Sequence, residues 1–147
     1  FLGLTFNWGI IMGWSSITNN LSIEPVILYL SAIFWTLGYD TIYGLQDIYD
    51  DEIIGVKSTS IKFKNNPKKF LFICYSITAM AYLLLGQIMN FNYFFYFGAI
   101  LIITHLFFYQ LIKFNSKNTN QCLKIFKSNN LLGLIVLISL FFGKLSI

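Results

Sequence analysis

The chain has no arginine, one histidine, two cysteines and only six acidic residues among its 147. Without guanidinium groups it lacks the planar fork that reads phosphates and base edges in pairs. The net charge of +4, carried entirely by lysine, is therefore not read as a nucleic-acid footprint, and no nucleic-acid partner is expected. Cys74 lies in an apolar run and Cys122 in a polar one, with none of the spacings that mark zinc sites or disulfide frameworks. Charged residues make up 11% of the chain, against about 25% in a soluble domain. The first residues show neither a basic n-region nor a small-residue cleavage site, so they are not expected to be a signal peptide. Phe1 already stands in an apolar run with no initiator methionine before it, so the expectation is a chain that begins inside a longer protein.

What is abundant is apolar surface. Hydrophobic residues reach 56% and the mean hydropathy is +0.67. Several runs approach the roughly 20 residues that cross a bilayer as a helix. The pattern predicts an all-α, multi-span transmembrane bundle with about five spans. These run over Phe1–Ile17, Pro25–Asp50, Lys69–Met89, Tyr93–Ile112 and Asn130–Leu145. Cys122–Lys127 is expected to form a short amphipathic turn at the interface. Lys57, Lys62, Lys64, Lys68 and Lys69 follow the second span, and Lys113, Lys117, Lys124 and Lys127 follow the fourth, whereas the other two connections carry no lysine. The positive-inside rule places the lysine-bearing loops on the cytoplasmic side, or the matrix side of a mitochondrion. The run Tyr93–Phe97 reads as an aromatic belt at the opposite interface.

All four aspartates fall between Tyr39 and Thr59, where the second span reaches the lysine-bearing side. Carboxylates in or beside lipid are costly and mark function by default. On a continuous helix Asp40, Tyr43, Asp47 and Asp51 would occupy a sector roughly 100° wide. Asp47 and Asp51, one turn and about 6 Å apart along the axis, would then share a hard cation. Asp50 points elsewhere and reaches the same ion only if the helix unwinds near Glu52. Asp40, roughly 10 Å deeper, suits the orientation of a substrate instead. With oxygen donors and no nearby histidine or cysteine, Mg2+ fits better than zinc. Gly55–Val56–Lys57–Ser58–Thr59 supplies a turn, an ammonium and two hydroxyls for phosphate oxygens. Metal-holding carboxylates beside a phosphate-holding lysine are what a polyphosphorylated ligand requires.

The pattern Tyr39-Asp40-Thr41-x-Tyr43-x-x-x-Asp47-x-x-Asp50-Asp51, followed by Ile54-Gly55-Val56-Lys57-Ser58-Thr59, resembles the second aspartate-rich motif of the UbiA superfamily of intramembrane aromatic prenyltransferases. The likeness is greatest to 4-hydroxybenzoate polyprenyltransferases of ubiquinone synthesis. Phe6-Asn7-Trp8-Gly9-x-x-Met12-Gly13-Trp14 is similar to the start of that family's fifth helix, and Phe126-Lys127-Ser128-Asn129-Asn130-x-x-Gly133 to the entry of its ninth. The resemblance implies that residues 1–147 are the C-terminal part of one membrane-embedded domain, helices five to nine of nine. It implies transfer of a polyprenyl group from polyprenyl diphosphate to the ring of 4-hydroxybenzoate, assisted by Mg2+, in a bacterial or mitochondrial inner membrane. By the same resemblance Asp40, Asp47 and Asp51 are catalytic, with Asp47, Asp51 and Asp50 on the metal. Lys57, Ser58 and Tyr43 then face the substrates. The family's first aspartate-rich motif has no counterpart here, so the chain is expected to be inactive alone. Two alternatives stay open: a related prenyltransferase with a haem, naphthoate or homogentisate acceptor, and a cation transporter or channel half, in which intramembrane aspartates line an ion path. His105 is expected to be a satisfied packing histidine, ahead of a hydrogen bond across helices or a contact with substrate, and Asn7 and Asn129 to form hydrogen bonds between helices.

Overall fold

An apolar run in lipid must satisfy its own backbone, and a helix does so within one segment. The computed structural model describes residues 2–145, and among the described residues every regular element is helical. In chain order these are α1 (Leu2–Phe6), α2 (Gly9–Thr18), α3 (Ile23–Gly44), α4 (Ile48–Ile54), α5 (Thr59–Lys62), α6 (Pro67–Ile88), α7 (Tyr93–Thr104) and α8 (Thr119–Lys144). A π-helical segment, His105–Leu111, continues α7 without a break. Among the described residues four helices are long and apolar enough to cross a bilayer: Ile23–Gly44, Pro67–Ile88, Tyr93–Leu111 and Thr119–Lys144.

Local chemistry sets most of the ends. Asn92 Oδ1 accepts the Phe94 N–H at 2.9 Å and Asn118 Oδ1 the Gln121 N–H at 3.0 Å, capping α7 and α8. Pro67 opens α6, where its missing N–H costs nothing. Asn19 and Asn90 end the preceding helices in the left-handed conformation that asparagine tolerates.

Three boundaries differ from those expected. The first span is divided at Asn7–Trp8 into α1 and α2, because Asn7 Nδ2 donates to the Gly3 carbonyl at 2.8 Å and to Thr36 Oγ1 at 2.9 Å. That bond ties the break to α3, and neither half is long enough to cross by itself. The second span stops at Gly44, not Asp50. The last begins eleven residues early, at Thr119 in place of Asn130. The expected interfacial turn is therefore the start of α8, and its Cys122 and Ile125 are buried in the core.

The bundle is built on α3, which runs antiparallel to both α6 and α8. Ser31 Oγ donates to the Thr78 carbonyl at 3.0 Å and Thr78 Oγ1 returns a bond to the Ser31 carbonyl at 3.3 Å. Tyr82 and Ser139 join α6 to α8 at 2.6 Å. Small polar residues of this kind hold helices together in lipid, where apolar contact alone gives little preference. At one end Asn92 Nδ2 donates to the Phe142 and Leu145 carbonyls, closing α7 onto α8. The opposite end gathers the connections rich in lysine. Phe97, Ile100, Phe108, Leu137 and Phe141 are exposed on the outer faces. In water they would be a liability; a bilayer tolerates such exposed apolar surface.

Candidate functional site

The acidic residues do not form one continuous stripe. After Gly44 the Gln46 N–H bonds to the Tyr43 carbonyl at 3.0 Å, tightening the chain into a turn that buries Leu45. The chain then re-enters a helix, α4, at Ile48. The cause is the return of α5. Ser60 Oγ donates to the Thr41 carbonyl at 3.0 Å, and its side chain fills the space a Cβ on Gly44 would need. Thr59 and Thr41 share a hydroxyl hydrogen bond of 2.8 Å, and Thr41 Oγ1 also reaches the Leu37 carbonyl at 2.7 Å. A side chain on residue 44 would push α5 away, so glycine is required there.

The helical relation between Asp47 and Asp51 survives: the Asp51 N–H bonds to the Asp47 carbonyl at 3.0 Å. Asp50 and Asp51 lie in the first turn of α4, where the helix dipole favours carboxylates. Asp47 and Asp50 are exposed and Asp51 is half-buried. The last turn closes with Gly55 at φ +78°, and the Val56 N–H bonds back to the Asp51 carbonyl at 2.9 Å. Glu52 pairs with Lys64 at 2.6 Å, the one ion pair among the described residues. The three aspartates of this turn thus have no ion-pair partner among the described residues.

Lys57 is exposed and likewise outside any ion pair among the described residues. Ser58 Oγ accepts the Ile61 N–H at 3.2 Å, capping α5 and leaving its own O–H able to donate. Because Thr59 and Ser60 are bonded to Thr41, this loop comes back beside the residue that follows Asp40. Asp40 is half-buried on α3, and no hydrogen bond or ion pair holds its carboxylate among the described residues. The hydrogen bonds that return the loop are made by Thr41, the neighbour of Asp40 on α3, and not by Asp40 itself.

Tyr43 has its ring 4.6 Å from that of Phe126 on α8. Phe126 also lies 5.8 Å from Tyr39, which lies 5.9 Å from Trp35. These four rings form a file descending from the acidic end. At its foot Trp35 lines a largely apolar cavity of about 250 Å³, together with Asn7, Ser31, Tyr82, Leu132 and Gly133. Trp35 is held by its indole N–H, which donates to Asn129 Oδ1 at 2.8 Å. The same oxygen accepts from Gln110 Nε2 at 2.9 Å, while Tyr75 donates to Gln110 Oε1 at 2.6 Å. His105 Nδ1 stands 3.2 Å from Gln110 Nε2. Gln110 and His105 both belong to the π-helical segment, a distortion that often accompanies function. Asn7 and Asn129 thus bond between helices as expected, whereas His105 finds its partner within its own segment. Sequence reasoning passed over Gln110, Tyr75 and the placement of Phe126. An isolated glutamine in an apolar span was the available signal for the first of these.

Among the described residues no three His, Cys, Asp or Glu side chains come together closely enough to hold a metal by themselves. The donor set nonetheless suits a hard cation. Mg2+ is usually bound by one or two carboxylates while phosphates and water complete its shell. The unpaired oxygens of Asp47, Asp50 and Asp51 meet that requirement.

The model of the UbiA prenyltransferase family matches residues 1–141. A 4-hydroxybenzoate octaprenyltransferase of Francisella tularensis subsp. novicida is 37% identical over 138 residues, covering 93% of this chain and 48% of the relative. The protein of the same name from Psychromonas ingrahamii is 35% identical over 144 residues, covering 98% of this chain and 50% of the relative. The chain spans about half the length of the curated relatives it matches. No solved structure matches it. A motif set on a helix end that the bundle itself folds back, and a family match along nearly the whole chain, lead to one assignment: the chain belongs to the UbiA prenyltransferase family.

Proposed function

We propose that this chain forms part of a single membrane-embedded domain that transfers a polyprenyl group from its diphosphate to the ring of 4-hydroxybenzoate. The observation that carries the reading is one arrangement. Unpaired carboxylates stand next to a lysine and hydroxyl loop, above aromatic rings that lead into an apolar cavity. The relatives' names supply the acceptor and the isoprenoid donor.

In this reading Asp47 and Asp51 hold Mg2+, with Asp50 as a third donor. When bound, the ion neutralises charge on the departing diphosphate. Lys57 donates to the diphosphate oxygens, and the free O–H of Ser58 adds a second donor. The allylic C–O bond breaks, and the carbon ortho to the phenol oxygen forms the new C–C bond before losing its proton. Asp40 and Tyr43 stand near the acceptor, where the Asp40 carboxylate accepts from the phenol O–H and enriches the ring. Tyr39, Phe126 and Trp35 present π faces to developing positive charge and exclude water from it. The cavity below accommodates part of the tail. A second acidic motif from outside these 147 residues completes the metal ligands, so the chain alone is inactive. The site faces the cytoplasm or matrix across an inner membrane, on the side of the lysine-bearing loops.

The test is Mg2+-dependent binding of labelled polyprenyl diphosphate, and prenylation of 4-hydroxybenzoate, by the full-length protein that carries this chain. Cation flux without diphosphate binding would overturn the reading in favour of a transporter. Transfer to a naphthoate or homogentisate but not to 4-hydroxybenzoate would change the acceptor alone.

A further inference from the structure

A second cleft opens at the lysine-bearing end, of about 680 Å³, between the start of α6 and the connection from the π-helical segment to α8. Lys68, Lys69 and Lys113 line it, together with Asn66, Asn115 and Ser116. None of its lining residues is acidic, and none of the three lysines is in an ion pair among the described residues. Lys113 Nζ lies 4.7 Å from the centre of the Tyr109 ring, a cation–π contact within the segment that borders the cleft.

Two of these cations occupy an unfavourable place. Lys68 and Lys69 sit in the first turn of α6, where the helix dipole disfavours positive charge, and no acidic side chain in that turn offsets it. Among the described residues neither lysine has an ion-pair partner, and a bound anion would offset the charge.

The surface immediately deeper along the same helices is apolar and open. One turn below the two lysines are Phe72 and Ile73, and one turn below Ile112 on the facing element is Phe108; all four are exposed. The Phe72 ring meets Phe107 at 5.7 Å, so α6 and the π-helical segment run side by side here. A basic cleft thus caps an exposed apolar groove. A phosphodiester headgroup on two acyl chains matches both parts, and a single negative charge needs no metal-binding carboxylate.

We propose that this cleft is a binding site for an anionic phospholipid, its phosphate held by Lys68, Lys69 and Lys113 and its chains lying along Phe72, Ile73 and Phe108. The site is separate from the acidic turn, although Asn65 and Ser116 border this cleft and the groove beside Glu52 and Lys64. It gives the enzyme a dependence on the charge of its bilayer.

Native mass spectrometry of the full-length protein in mild detergent, with dioleoyl phosphatidylglycerol and dioleoyl phosphatidylcholine as probes, tests the site. One phosphatidylglycerol should be retained per chain, and phosphatidylcholine should not. The triple variant Lys68→Gln, Lys69→Gln, Lys113→Gln should weaken retention on the order of 100-fold, from about fivefold for each lysine near an anionic lipid. The triple variant Lys117→Gln, Lys124→Gln, Lys127→Gln removes equal charge from the same end and should leave retention unchanged. Arginine at positions 68, 69 and 113 should preserve it, showing that the cleft tolerates substitution. Equal retention of both lipids, equal loss in both glutamine triples, or no loss in the first would overturn the proposal. Displacement of phosphatidylglycerol by geranyl diphosphate would also overturn it and make the cleft a docking place for the prenyl donor.

Discussion

Replacing Asn129 with alanine removes the acceptor shared by Trp35 Nε1 at 2.8 Å and Gln110 Nε2 at 2.9 Å, leaving the Trp35 N–H without that partner and Gln110 Nε2 with His105 Nδ1 alone, 3.2 Å away. Each buried donor left unsatisfied costs about 1–3 kcal/mol in proteins generally. Measured interhelical bonds in membranes average about 0.6 kcal/mol and reach about 1.7, because the membrane-embedded reference state finds other partners. For two such bonds the membrane values bound the loss at about 1–3 kcal/mol, and Asn129→Ala should destabilise by that amount. Trp35→Phe deletes only one donor and should cost less. The double variant should then fall short of the sum of the two single effects by about 0.6–1.7 kcal/mol, the worth of the shared bond. Reversible unfolding in mixed micelles, followed for all four members of the cycle, measures the difference. The Trp35 ring is also the foot of the aromatic file, so Asn129→Ala in the full-length protein should lower turnover more than it lowers affinity for the diphosphate. Single effects that add to within about 0.3 kcal/mol would show that the Trp35–Asn129 bond is not a coupled interaction and would refute the reasoning.

In the full-length protein Asp47→Asn or Asp51→Asn should reduce prenylation by at least about 100-fold, the scale of losing a principal electrostatic contact to the transition state, with membrane insertion unchanged. Near-normal turnover in either variant would remove that residue from the metal. Lys57→Ala should raise the KM for the prenyl diphosphate by about tenfold or more, from the loss of a charge-assisted hydrogen bond of about 1.5–3 kcal/mol. An unchanged KM in initial-rate kinetics would argue against the assignment. Gly44→Ala should destabilise by about 1–3 kcal/mol through overpacking against Ser60, and Ser60→Gly in the same chain should recover part of the loss. Unfolding measurements showing no cost for the single substitution would mean that α5 is free to move away from α3.

Lipid-compatible composition, the four long helices and the gathering of lysine at one end were all legible in the residues. Each depends on neighbours in sequence: hydropathy over a window of about twenty residues, or charge counted in a short connection. The adjacency of Asp47 and Asp51 was legible for the same reason, since one turn of helix relates them wherever that helix begins. The end of α3 was not. Nothing between Asp40 and Asp51 announces a break except Gly44, and the break exists because Ser60 packs into the space that glycine leaves. The aromatic file and its support were equally hidden. Phe126 meets Tyr43 across 83 residues of chain and Asn129 meets Trp35 across 94, contacts that follow only from α8 lying antiparallel along α3. Sequence by itself determined the four long apolar helices and which chemistry waits near their ends, but not the break of the first expected span at Asn7–Trp8. The folded bundle alone decided which of those groups meet, because side chains on different helices approach one another only after the helices have packed.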